Sequence, residues 1–232
     1  MDSAIQTAFD RAQHMVFLTG AGVSTPSGIP DYRSKAGLYT GHQNAEYYLS
    51  QTCFTREPDV FYDYMKTNLY YPEARPNVIH DKQAALTNQG RAAIVTQNID
   101  NLYHVAGATH LVEFHGNLYD VYCAACHQRF PWQDYLVDPR HAMDHGWLRP
   151  NIVLYGEGLD PETVNRGVQA VAKADLIVIV GTSMRVYPFA GLLDYRSPAA
   201  KIIVVNQERL DLPVPYTMVQ TNAEEFFDDL TV

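Results

Sequence analysis

Short apolar runs recur along this chain, and each ends in small or polar residues. MVFLT at 15–19 runs into Gly20-Ala21-Gly22, and AIVT at 93–96 runs into Gln97-Asn98-Ile99-Asp100. HLVEF at 110–114 ends at His115-Gly116-Asn117, LIVIV at 176–180 at Gly181-Thr182-Ser183, and IIVV at 202–205 at Asn206. Runs without polar alternation read as strands buried on both faces, which is the signature of a parallel sheet under helices. Helical patterns lie between several of them, at about 3–14, 56–70, 76–89, 161–173 and 188–194, and EEFFDDL at 224–230 predicts a short terminal helix. Strands alternating with helices predict right-handed βαβ units and an α/β, Rossmann-like, doubly wound parallel sheet. In such sheets ligands bind beyond the carboxyl ends of the strands, where the small and polar residues gather.

Two stretches break this rhythm. Residues 31–90 are rich in Tyr and Phe and read as loop and helix, while 118–150 show no strong period. Both read as insertions, so the sheet domain is expected from about 1–30, 91–117 and 151–232, with 31–90 and 118–150 forming a small lobe. The composition, 47% hydrophobic and 19% charged, is that of an ordinary globular protein. The net charge of −9 disfavours nucleic acid and anionic membranes as partners and suits a basic, lysine-bearing one. Three cysteines are too few for a disulfide framework. With a polar N-terminal segment and no apolar run near the ~20 residues of a membrane span, they predict a cytoplasmic protein.

The first strand opens into Gly20-Ala21-Gly22-Val23-Ser24-Thr25. Glycines there let the backbone approach a pyrophosphate, and amide groups at a helix start stabilise its charge. A dehydrogenase fingerprint would carry a third Gly near Thr25, and no acidic residue is evident after a second strand. Just beyond, Asp31-Tyr32-Arg33 supplies an aromatic to cover a ring and an Arg to pair with phosphate.

Five motifs in order, GAGVSTPSGIPDYRS, TQNIDNLYHVAG, VEFHGN, RPNIVLYGE and VGTSMRVYP, resemble the sirtuin family of NAD-dependent protein deacylases over about 15–206. The resemblance implies a Rossmann-type domain, a small helical and zinc-ribbon lobe, NAD as cosubstrate and an acyl-lysine protein or peptide bound between the lobes. By position, Ala21, Thr25, Tyr32 and Arg33 would line the NAD pocket, and Gln97 would hold a ribose. Asn98, Ile99 and Asp100 would surround the nicotinamide, and Thr182, Ser183 and Asn206 the phosphate and adenosine side. His115 would act as the base on a ribose hydroxyl, with Asn98 and Asp100 as its catalytic companions. An imidazole of ordinary pKa near 6.5 suits proton transfer at neutral pH.

The chain departs from that family in two places. The family's metal site is two CxxC pairs. Here only Cys123-Ala124-Ala125-Cys126 stands, and the second pair is replaced by His141-Ala142-Met143-Asp144-His145. Cys123, Cys126, His141 and His145 would make a Cys₂His₂ zinc site, with Asp144 as the other candidate. Alternatively zinc is lost, and packing by Tyr122, Phe130, Trp132 and Trp147 replaces it. Family members preferring acidic acyl groups pair a Tyr with an Arg three residues on; here Tyr62 is followed by Met65. A buried acyl carboxylate would lack its forked cation, so a neutral acyl group is expected. Val153, Tyr155, Gly156 and Glu157, with Val186, would bind the peptide as extended strands. Two other readings use the same pocket: ADP-ribose transfer to a protein or plain NAD hydrolysis, and a noncatalytic NAD or ADP-ribose sensor.

Overall fold

A computed structural model describes residues 2–31 and 45–232. Among these, nine strands follow one another: β1 Met15–Thr19, β2 Ala92–Thr96, β3 Leu111–Glu113, β4 Gly116–Cys123, β5 Arg129–Phe130, β6 Leu148–Ile152, β7 Leu176–Val180, β8 Lys201–Asn206 and β9 Thr217–Gln220. The helices are α1 Ser3–Arg11, α2 Ala45–Tyr48, α3 Gln51–Arg56, α4 Pro58–Asn68, α5 Val78–Asn88, α6 Leu102–Val105, α7 Trp132–Val137, α8 Pro161–Lys173 and α9 Ala223–Asp229.

Six strands form one sheet in the order β3-β2-β1-β7-β8-β9. Every pairing in it is parallel, and β1 sits in the middle with Phe17 opposite both Ile94 and Val178. The order reverses at β1, so the switch point between the two halves falls where Gly20 begins its loop. The apolar runs fail to alternate because both faces are covered. Phe17, Ile94, Val178 and Ile203 pack under α1, α5 and α9 through Phe9, Ile79, Leu86 and Phe227. Their neighbours Val16, Leu18, Val95, Ile177 and Val204 point the other way, toward Val171 of α8 and Leu192 and Leu193. Each fully buried Phe or Leu contributes roughly 1.5–3 kcal/mol, so this double core is the main stabilising term.

A second sheet, β5-β4-β6, is antiparallel. It spans 116–152, almost all of it in the stretch 118–150 that shows no strong period, because its strands are short and β6 carries Arg149 and Pro150. The proline is tolerated because β6 is an edge strand. The helix expected at 56–70 is α4: Pro58 occupies its first turn, and the preceding Glu57, which leaves helical geometry, separates it from α3. The pattern at 188–194 becomes a 3₁₀ helix, Ala190–Tyr195. The strand β9 had no apolar run to announce it. No helix among the described residues is long and apolar enough to cross a membrane.

Candidate active site

The loops after β1 and β7 meet in backbone contact. Gly22 N–H donates to the Gly181 carbonyl at 2.9 Å, and a Cβ on Gly22 would lie 2.7 Å from the Gly181 Cα. Gly181 also holds φ +58, a conformation that L side chains rarely adopt. This close approach opens a cavity of about 740 Å³ along the carboxyl ends of the sheet. Ala21, Thr25, Gln97, Asn98, Ile99 and His115 line it, together with Thr182, Ser183 and Asn206. Nine residues assigned to the dinucleotide from sequence are therefore brought together. Tyr32 and Arg33 lie outside the described residues.

His115 sits in the turn between β3 and β4. Its Nδ1 is 3.2 Å from the Gln97 carbonyl oxygen. A carbonyl only accepts, so Nδ1 carries the proton in the neutral ring and Nε2 keeps a lone pair. Phe114 and Phe189 flank the ring, with centroids 5.7 and 6.4 Å away. Burial lowers the His115 pKa below its usual value, against the bond to Gln97. Gly116 follows at φ +83, where a Cβ would meet the Asn151 oxygen at 2.0 Å, so β4 can reach β6 only with glycine here. Gln97 itself is fixed by Nε2 donating to Thr182 Oγ1 at 2.8 Å.

Behind this cavity is a pocket of about 20 Å³ lined by Ser24, Leu69, Tyr71, Asn98 and Asp100, among others. Asn98 is buried, and its amide donates to the Gly20 carbonyl and to Ser24 Oγ at 3.1 and 3.0 Å. Ser24 in turn donates to Asp100 Oδ2 at 2.6 Å, and Asp100 Oδ1 accepts the Leu102 N–H. Burial pushes the Asp100 carboxyl up despite these two donors. Asp100 therefore lines the smaller pocket and not the main cavity.

Sequence reasoning missed two members of this layer. Ser24 stood inside a motif already noted, with no partner suggested by spacing. His80 lies 3.5 Å from Ser24 Oγ through Nε2, and its Nδ1 accepts the Asn77 N–H in a capping box. An Asn three residues before a His at a helix start was a visible cap signal, but the reach to Ser24 spans 56 residues. Burial holds His80 neutral, with its pKa lowered to about 4. The unfolded chain takes up this proton near 6.5 and the folded one does not, so stability is full above that pH and falls toward pH 4. The loss from this one residue is on the order of 3 kcal/mol. In denaturant melts, His80→Phe should flatten the fall in stability between pH 6.5 and 4; an unchanged slope would refute the assignment.

The peptide-side residues Val153, Tyr155, Gly156, Glu157 and Val186 line the same cavity. Val153 N–H donates to the His115 carbonyl at 2.9 Å, which joins this segment to the His115 turn. Glu157, expected to face substrate, instead spends its carboxylate on Arg149 in a two-pronged pair of 2.7 and 3.1 Å. It also accepts the Leu154 N–H. Burial pushes its pKa up, but the Arg149 guanidinium and that amide outweigh it and hold the carboxyl low. Arg149 is buried, so Glu157→Ala should cost about 3–5 kcal/mol by stranding a cation. Chemical denaturation measures this directly, and a cost under about 1 kcal/mol, the range of exposed pairs, would contradict it.

Tyr62 and Met65 are not at the cavity. Tyr62 donates to the Leu136 carbonyl and packs edge-on against Tyr135. Met65 is fully buried with Cys53, Phe61, Leu118 and Leu154. The pair that would recognise an acidic acyl group is here structural packing.

Around the antiparallel sheet, the donor atoms of Cys123, Cys126, His141 and Asp144 all lie within 4.8 Å of one another. Cys123 Sγ is 3.6 Å from both Asp144 oxygens, and Cys126 Sγ is 3.6 Å from His141 Nδ1. Four ligands about 2.0–2.3 Å from a tetrahedral ion would be about 3.3–3.8 Å apart. The sulfur contacts match this, and the His141 Nδ1 contact with Asp144 Oδ1, at 2.8 Å, would open to admit the ion, so the group could hold zinc. The carboxylate that joins this group is Asp144; His145 is not among the four, and its backbone at φ +56 turns the loop and donates to the His141 carbonyl. The Gly146 N–H and the Cys126 thiol hold Asp144 ionised, with a pKa lowered to about 2.

The chain matches known proteins along nearly its whole length. A family model described as the Sir2 family matches residues 20–188. An NAD-dependent protein deacetylase of Lactiplantibacillus plantarum is 60% identical, covering 99% of this chain and 98% of its own. One from Listeria monocytogenes serovar 1/2a is 48% identical, covering 97% and 99%. Among solved structures, a sirtuin determined for the basis of substrate affinity superposes with a TM-score of 0.88 at 29% identity, covering 98% and 97%. Sir2Tm bound to a propionylated peptide gives 0.86 at 30% identity, covering 98% and 96%.

Proposed function

The chain belongs to the Sir2 family, and on that premise we propose a residue-level account of its work as an NAD-dependent protein deacetylase. The reaction consumes NAD, one water and an acyl-lysine protein, and it releases nicotinamide, free lysine and O-acyl-ADP-ribose. Breaking the nicotinamide–ribose bond leaves positive charge on the ribose, which suits a polar pocket without a strong nucleophile. Asn98 and Asp100 organise the nicotinamide end, while Gln97 holds the ribose. Once the acyl oxygen has attacked the ribose carbon, His115 takes a proton from a ribose hydroxyl, which then attacks the acyl carbon.

The observation that carries this reading is the bond of His115 Nδ1 to the Gln97 carbonyl beside the cavity. It leaves Nε2 as the basic atom, and the lowered pKa keeps the ring neutral at pH 7. The large domain of about 1–30, 91–117 and 151–232 would then carry NAD, and the lobe of 31–90 and 118–150 would close over the peptide. Leu49 from the lobe, together with Ile152 and Leu154, gives the cavity an apolar wall, which supports a neutral acyl group, because a carboxylate buried against it would go unpaired. When bound, zinc supplies a crosslink between the turn at Cys123–Cys126 and the loop at 141–144, remote from the chemistry. The free cysteines among the described residues fit work in the cytoplasm.

Incubation with NAD and a peptide carrying acetyl-lysine should yield nicotinamide and free-lysine peptide in equal amounts. Under the same conditions a succinyl-lysine peptide should be cleaved far more slowly. Equal rates on both peptides would overturn the acyl assignment.

A further inference from the structure

A histidine in a turn between two strands has no helix or ladder of its own to hold it, so its aim depends on what flanks it. Here the residues two before and two after His115 are tied together. Asn117, which is buried, donates from Nδ2 to Glu113 Oε1 at 2.7 Å, closing a bridge across His115. The same amide donates to Asn101 Oδ1 at 2.8 Å, and Asn117 Oδ1 accepts the Tyr119 N–H at 2.8 Å. Every polar atom of this side chain is therefore engaged.

Asn101 ends the loop 97–101, held at φ +67. That loop also supplies the Gln97 carbonyl that fixes the His115 tautomer, and its Ile99 carbonyl accepts the Leu118 N–H at 2.9 Å. Glu113 presents its other oxygen to His104 Nε2 at 3.0 Å, on α6, which follows Asn101. The bridge thus joins three parts, the end of β3, the start of β4 and the loop with its helix, around one imidazole.

We infer that Asn117 and Glu113 are positioning residues, which hold His115 and the Gln97 carbonyl in register without touching substrate. The inference rests on the assignment of His115 as the base. It separates the two halves of the reaction, because nicotinamide leaves before the base is needed. A displacement of about 1 Å at the base costs on the order of 10²-fold in rate. Asn117→Ala should therefore slow deacetylation by about that factor, with KM for NAD unchanged. Exchange of labelled nicotinamide into NAD, measured with acetyl-peptide present, should continue at close to the original rate.

Asn117→Asp sets two carboxylates face to face and should be at least as impaired. Combining it with Glu113→Gln restores a donor and an acceptor with the direction reversed, and an Asn101 amide flip completes the set. This double variant should recover most of the lost turnover, and circular-dichroism melts of all variants report whether they fold. Unaltered deacetylation in Asn117→Ala, exchange and deacetylation lost together, or a double variant no better than Asn117→Asp would each overturn the inference alone. Should His115→Ala, run beside them, keep full deacetylation, the base assignment falls and this inference with it.

Discussion

Replacing His115 by Ala is expected to lower deacetylation by about 10²–10⁴-fold, the usual contribution of a positioned general base. The fold should survive, because among the described residues the ring makes a single hydrogen bond, at 3.2 Å, and its phenylalanine neighbours are anchored elsewhere in the core. NAD affinity should also hold, since Gln97, Asn98 and Thr182 keep their own partners. The pH dependence follows from the same ring. Burial lowers its pKa, and the base works only when neutral, so turnover should rise with pH through a value below 6.5 and be flat at neutrality. A pH–rate profile with its acid limb above pH 7, or a variant with undiminished turnover, would remove His115 from this role.

The second large effect concerns the small lobe. Substituting Cys123 by Ser should abolish zinc binding and lower the melting temperature, whereas wild-type protein should carry one zinc per chain. Structural zinc contributes about 10–16 kcal/mol in isolated fingers. This lobe retains independent support from the cluster of Tyr62, Tyr70, Trp132 and Tyr135, so only a fraction should appear in global unfolding. A loss of even about 3 kcal/mol lowers the melting temperature of a chain this long by roughly 6–12 °C. Elemental analysis and calorimetry together check it, and a zinc-free protein whose melting ignores chelator would show that packing alone holds the lobe.

The central sheet could be read from the chain because its signal is local. MVFL and LIVIV are apolar throughout, since both faces are covered, and each run leads to glycines that bring two backbones into contact. The same locality brought out Gln97, Asn98, Ile99 and His115, which lie at strand ends in recognisable strings. What stayed hidden was set by long-range contact. Nothing near Glu157 in sequence announces that Arg149 consumes its carboxylate, and nothing near His80 points to Ser24. At the metal cluster, spacing alone favoured His145, but the turn at positive φ directs Asp144 to the thiols instead. The strands β4 and β6 escaped notice for the opposite reason: a short antiparallel ladder interrupted by Pro150 leaves too little periodicity to detect.

The ADP-ribose product tests the central claim most directly. With NAD and an acetyl-lysine peptide, mass spectrometry should find O-acetyl-ADP-ribose in the same molar amount as nicotinamide and deacetylated peptide. Plain ADP-ribose released without deacetylation, ADP-ribose attached to protein, or NAD bound without any product would contradict it.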